Sequence, residues 1–150
     1  PTRRSSDLVE IPNVKVFLGQ IETFRNMLSE AGPEESLKKN MDYMLNIGQI
    51  FTTIVYGQFI LEGAKLRDVD DRLTDQMFSL FVKDINKYAL TQLNSQKNTE
   101  LQEKFLKELA LTKPVIDKEK DFEFWKEFVQ VLDGAYVMND SVIGVEEIKI

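Results

Sequence analysis

Tyr43-Met-Leu-Asn-Ile-Gly-Gln-Ile-Phe-Thr-Thr-Ile-Val-Tyr-Gly-Gln-Phe-Ile-Leu61 runs for 19 residues without a charge. No Pro interrupts it, and it sits inside a longer helical pattern predicted from Pro33 to Leu66, about 50 Å of helix at 1.5 Å per residue. A run of this length is long enough to span a bilayer. Asn46, Gln49, Thr52, Thr53, Gln58 and two glycines count against that, because polar groups are costly in hydrocarbon. The reading favoured by these residues is a central helix surrounded by its neighbours, since a helix apolar nearly all round is usually buried. Asp42, Asn46, Gln49 and Thr53 fall on one stripe, the expected exposed or polar-contact side. Gly48, Gly57 and Gly63 each weaken the helix by about 1 kcal/mol against Ala, which close packing of a second helix can offset.

Four further helices are predicted around it. Val14, Phe17, Ile21, Phe24 and Leu28 alternate by three and four over 13–30, one face of a helix. Ala31-Gly32-Pro33 ends it, with Gly suited to a left-handed cap and Pro opening the next helix. Asp70 or Asp71 is placed to cap a third helix reaching about Leu93, its apolar face Leu73, Met77, Phe78, Phe81, Ile85, Tyr88 and Ala89. Thr99-Glu-Leu-Gln102 matches a capping box and opens a short helix to about Ala110. Pro114 breaks the chain. A fifth helix is predicted over 118–138 with Phe122, Trp125, Phe128, Leu132, Ala135 and Tyr136 on one face, stopping at Asn139. The expected fold is all-α: an antiparallel bundle of four to five helices with a long central second helix. If the two faces are buried, Phe81→Ala and Trp125→Ala should each cost about 3–5 kcal/mol.

The ends read differently. Pro1-Thr-Arg-Arg-Ser-Ser-Asp-Leu8 looks like an in-frame translation of a sequencing-adapter oligonucleotide, so 1–8 is expected to be an artefact and 9–140 a fragment of a larger protein. Residues 141–150, SVIGVEEIKI, read as a tail.

The chain has 150 residues, a net charge of −6, no Cys and no His. That excludes disulfides, thiolate nucleophiles, His or Cys metal sites and His-based acid–base chemistry. The acidity argues against nucleic acid as partner. No GxGxxG and no GK[ST] is present to cradle phosphate. Asp68, Asp70, Asp71 and Asp75 suggest a calcium loop, but the positions that need Gly and Glu hold Leu73 and Ser79. Zero histidines forbid the Glu-x-x-His of a di-iron bundle. Glu62 reads as a solvent-facing side chain beside Lys65, and Asp84 with Lys87 as a surface pair. Trp125, Phe128 and Tyr136 read as core. No catalytic residue and no metal ligand set is expected here, and cofactor contacts are not assigned.

Three stretches occur together: Gly48 through Leu66; Asp70-Asp-Arg-Leu-Thr-Asp-Gln-Met-Phe78 through Lys87-Tyr-Ala-Leu90; and Lys113-Pro-Val-Ile-Asp117 leading into Phe124-Trp-Lys-Glu-Phe128 and Ala135-Tyr-Val-Met-Asn139. Their order over about residues 40–139 resembles the C-terminal helical extension of the larger bacterial flavin-dependent acyl-CoA dehydrogenases. The resemblance implies a cytoplasmic parent enzyme that holds FAD and an acyl-CoA thioester, oxidises the α,β C–C bond and forms a homo-oligomer. It implies that this segment meets the remainder of its parent chain, serves there in packing, subunit contact or shielding of the acyl pocket, and binds no FAD by itself; that it spans no membrane is the expectation from the polar residues of the uncharged run. The family's Tyr-Glu-Gly base motif has no match, since Val55-Tyr56-Gly57 lacks the Glu. Two other functions fit the same composition: a stand-alone interaction module using the polar stripe, and a small-ligand carrier with an apolar cavity.

Overall fold

The computed structural model describes residues 8–33, 38–95 and 97–134. Among the described residues five α-helices follow one another: α1 (Pro12–Glu30), α2 (Met41–Arg67), α3 (Asp71–Leu93), α4 (Glu100–Leu111) and α5 (Lys118–Phe124). α5 runs on into a π-helical turn, Trp125–Val129, and a 3-10 turn, Gln130–Leu132. No strand occurs among the described residues, and the protein is an all-α helical bundle. The chain divides into two compact units, one ending at Val115 and the other beginning at Ile116.

Local chemistry sets the helix ends. Thr99 and Gln102 form the full capping box at the start of α4: Gln102 N–H donates to Thr99 Oγ1 at 3.2 Å and Thr99 N–H donates to Gln102 Oε1 at 2.9 Å. α2 starts at Met41 and not at Pro33, because Asn40 Oδ1 accepts from the Tyr43 N–H at 3.0 Å and closes a first turn there. Residues 34–37 of the predicted longer helix lie outside the described residues. Asp42 in the first turn and Lys65 and Arg67 in the last complement the α2 dipole. The left-handed cap is not at Gly32, which keeps a negative φ; it is at Asp68 (φ 50°, ψ 48°), where α2 ends.

Asp70 caps α3, accepting from the Arg72 N–H at 2.8 Å, with the Arg72 guanidinium 2.9 Å from its other oxygen. The Arg72 side chain and backbone N–H hold the Asp70 carboxyl below its ordinary range. A depressed folded-state pKa gives stability that is present above the unfolded value and lost as pH falls through the folded one. Asp70→Ala should therefore cost about 1 kcal/mol at neutral pH, an exposed ion pair adding little. The difference from wild type should shrink in acid, where the carboxyl loses its charge and keeps only a neutral cap, as followed by melting temperature against pH.

Side-chain bonds fix how α1 to α4 run. Asn46 Nδ2 donates to Gln92 Oε1 at 3.1 Å and Tyr56 meets Phe81, so α2 and α3 are antiparallel. Asn86 Nδ2 donates to the Thr112 carbonyl at 2.6 Å, so α3 and α4 are antiparallel. Thr23 pairs with Glu108 and Ala31 with Gln102, which sets α1 antiparallel to α4. Gln20 Nε2 reaches both the Val82 carbonyl and Asn86 Oδ1, while the Asn13 N–H donates to Asp75, so α1 and α3 are parallel. α3 packs against each of α1, α2 and α4.

The hub is thus α3, and the expectation of a central second helix is corrected. α1, α3 and α4 enclose a core that includes Val14, Phe17, Phe24, Met27, Phe78, Val82, Ile85, Ala89, Leu106 and Leu109. α2 lies against α3 with one flank, burying only Tyr43, Ile50, Ile54, Gly57 and Ala64. It meets α1 where the Phe17 ring lies over Gly57: a Cβ there would fall 2.8 Å from the ring's Cε1. Gly57 is therefore a close-approach glycine, whereas a Cβ at Gly48 or Gly63 would meet nothing within 4 Å. On α1 the buried line is Asn13, Phe17, Gln20, Phe24, Met27, so Met27 replaces the expected Leu28, which is exposed. On α3, Phe78, Ile85 and Ala89 are buried as predicted and Val82 joins them, while Leu73, Met77, Phe81 and Tyr88 are half-buried.

In the second unit, the predicted fifth helix is shorter than 118–138 and its aromatic face is not a core. α5 gives way at Trp125, Gly134 adopts φ 76°, and Ala135, Tyr136 and the stop expected at Asn139 lie outside the described residues. Asp133-Gly134 is the stop that a count of apolar spacing passes over. Phe122 stacks on Trp125 with centroids 6.1 Å apart, and Phe124 on Phe128 at 4.7 Å. Trp125 is 45% exposed. Its replacement by Ala is now expected to cost about 0.5–1 kcal/mol, the worth of an exposed stack, in urea unfolding; a loss above 3 kcal/mol would restore the core reading.

Candidate functional surface

Glu62 and Asp84 are exposed. The expected Asp84–Lys87 pair does not form; Lys87 lies 5.8 Å from the ring centroid of Tyr88. The four aspartates near the α2–α3 turn have separate tasks: Asp68 ends α2, Asp70 caps α3, Asp71 stands in the first turn of α3, and Asp75 accepts from the Asn13 N–H at 2.8 Å. No group of three or more acidic side chains is arranged to hold a metal among the described residues.

The interior is polar in a way the sequence reading missed. Asn13, Gln20, Gln92 and Gln102 are all buried. Asn13 clasps the backbone of Val115 from both sides, donating to its carbonyl at 3.1 Å and accepting from its N–H at 2.7 Å. Gln92 accepts from Asn46, and its Nε2 donates to Asn98 Oδ1 at 2.7 Å. Gln102 Nε2 donates to the Ala31 carbonyl at 3.0 Å. Gln20 Oε1 is the buried side-chain polar atom left without a hydrogen bond among the described residues. These groups are amides, which neither take up nor release protons near neutral pH. They order helices α1, α3 and α4 against one another and supply no acid or base. The buried Tyr43 phenol is pushed above its ordinary pKa by desolvation, so it too stays protonated. The signal for the amides was present: Asn13, Gln20 and Met27 are seven apart, interleaved with Phe17, Phe24 and Ala31. A count restricted to apolar residues skips two of the six.

The chemistry left over is apolar and faces outward. In the most apolar 18-residue window of α2, only 17% is buried. Met44 is 51% exposed, Phe51 57%, Phe59 64% and Leu66 84%. Met41, Leu45 and Tyr56 are exposed beside them. The polar stripe expected to face outward is divided: Asn46 is used against Gln92, Thr53 turns its hydroxyl to the Gln49 carbonyl, and Asp42 and Gln49 are exposed at the edge of the buried flank. Monomeric proteins rarely leave an apolar surface this continuous, and such a patch marks a contact surface. By length and composition α2 also qualifies as a membrane span, yet one flank carries Tyr43, Ile50, Ile54 and Ala64 into the bundle and Asn46 onto α3. The chain matches no family model, no curated protein and no solved structure.

Proposed function

We propose that this chain is a subunit-contact module without catalytic residues, the C-terminal helical domain of an FAD-dependent acyl-CoA dehydrogenase. The observation that carries the contact role is the outward apolar face of α2, on a bundle whose buried polar side chains among the described residues are the amides Asn13, Gln20, Gln92 and Gln102 and the hydroxyls Thr74 and Ser79. The enzyme assignment is carried by the residues of Gly48–Leu66 and Asp70–Leu90, which fall on the α2–α3 hairpin, with those of Lys113–Asp117 following α4. In this reading FAD and the acyl-CoA thioester are held elsewhere in the parent. The buried amides of this chain are turned on one another and on backbone, and we assign them no flavin contact.

The test is to recover the genomic region upstream of the coding segment and express the joined chain. The expected product carries a flavin absorbance band that bleaches on adding acyl-CoA. An upstream frame with no flavin domain removes the assignment. The closed core of residues 8–115 supports a second reading, a stand-alone helical protein-interaction module. It expects that same frame to be absent and the chain to unfold cooperatively by itself.

A further inference from the structure

The outward face of α2 has an internal symmetry. Met44, Gly48, Phe51, Val55, Phe59, Glu62 and Leu66, of which Gly48 and Val55 are half-buried and the rest exposed, are spaced by four, three, four, four, three and four residues, a series that reads the same from either end. At 3.6 residues per turn they fall within an arc of about 80° that extends about 33 Å along the helix. That arc lies opposite the flank formed by Tyr43, Ile50, Ile54, Gly57 and Ala64. We propose that this face pairs with the same face of a second copy of the chain, antiparallel, about a two-fold axis through Val55.

A two-fold interface requires a patch that matches itself, and the palindromic spacing supplies one. Val55 meets its own copy, Phe51 meets the copy's Phe59, and Met44 meets the copy's Leu66. Glu62, the one charge in the series, comes opposite the copy's Gly48. A Cβ at Gly48 would meet nothing within 4 Å, so the glycine leaves space in which the carboxylate keeps its water. Gly57 already shows how this helix uses a glycine, since Phe17 lies over it. With its flanking Met41, Leu45 and Tyr56, the face leaves seven large apolar side chains each more than half exposed, the kind of area, about 800 Å² from each partner, that a standard stable interface covers. The chain as a whole carries −6 and two copies repel. A face with one carboxylate is where they can approach at little electrostatic cost. The inference rests on the subunit-contact part of the reading above and not on the flavin assignment. An upstream frame without a flavin domain leaves it standing.

The 150-residue chain contains no cysteine, so single introduced thiols report the geometry directly. Sedimentation of the chain is expected to give a concentration-dependent dimer with a dissociation constant in the micromolar range or below. Val55→Cys should form a disulfide-linked dimer under mild oxidation. Met44→Cys alone should not, because its copy lies about 33 Å away along the helix, but mixed with Leu66→Cys it should give a crossed dimer. Phe59→Glu, at an exposed position, should leave helicity and melting of the monomer intact and weaken association by at least 100-fold. Four results overturn the proposal: a monomer at every concentration; a dimer indifferent to Phe59→Glu; ready self-linking of Met44→Cys, which means a parallel pair; or a monomer that floats with phosphatidylcholine vesicles, which gives the face to lipid.

Discussion

Phe17→Ala is expected to be the most damaging single change in the bundle, at about 3–5 kcal/mol. Phe17 is fully buried, stands edge-on to Phe78 with centroids 5.0 Å apart, meets Phe81 at 6.1 Å and lies over Gly57. It is the one buried side chain of α1 shown to reach both α2 and α3, so its loss opens a cavity that none of them can close alone. Gly57 makes the expectation specific. Gly57→Ala in the wild-type background gains about 1 kcal/mol of helix propensity but presses a Cβ into the ring, an overpacking cost of about 1–3 kcal/mol. In the Phe17→Ala background the obstacle is gone and the same change should stabilise by about 1 kcal/mol. Urea unfolding of the four proteins measures the coupling. Equal effects of Gly57→Ala in both backgrounds would mean that the ring does not lie on the glycine.

Gln102→Ala should be next in size, at about 2–4 kcal/mol, since it removes a cap and leaves a buried carbonyl without its donor. Gln102 Oε1 accepts from the Thr99 N–H at the start of α4, while Nε2 donates to the Ala31 carbonyl at the end of α1. One amide thus closes one helix and ties it to the end of another 71 positions away. Gln102→Glu separates the two tasks. It keeps the acceptor for Thr99 but sets a carboxylate against the Ala31 carbonyl. At neutral pH it should be about as harmful as Ala. A folded-state pKa raised in this way gives back stability as pH falls and the carboxyl becomes a donor. A variant whose stability relative to wild type is flat between pH 7 and pH 4 would show that the Ala31 bond contributes little.

The capping residues were readable because a cap is a local event. As caps, Asp70, Thr99 and Gln102 act within three residues of themselves; Thr99 and Gln102 lie where the sequence placed them, and Asp70 is one of the two positions it offered for α3. The place of α2 was not readable, because an uncharged run is the same string whether neighbours surround the helix or only one flank is covered. Leu28 and Met27 exchange roles for a related reason. Two stripes of α1 lie side by side, and only the buried amides Asn13 and Gln20 show which one turns inward. The candidate surface was half legible: the residues of Gly48–Leu66 were singled out, but as an enclosed core, and their exposure depends on α3 taking the middle. The five helices among the described residues agree with the four to five expected; the regularity of the last helix does not hold, since the apolar spacing continues through a π turn and the positive φ of Gly134.

The position of α3 also orders how the bundle comes apart. α3 is held on three sides by α1, α2 and α4, whereas α2 rests chiefly on α3. The amides of α3 should exchange with deuterium only when the whole bundle opens. Those of α2 have a cheaper route, in which α2 alone swings out about Asp68–Asp70 and the three remaining helices, α1, α3 and α4, stay closed. Protection that is stepwise, and deepest along the inward line of Phe78, Val82, Ile85 and Ala89, is the signature of a chain built around its third helix.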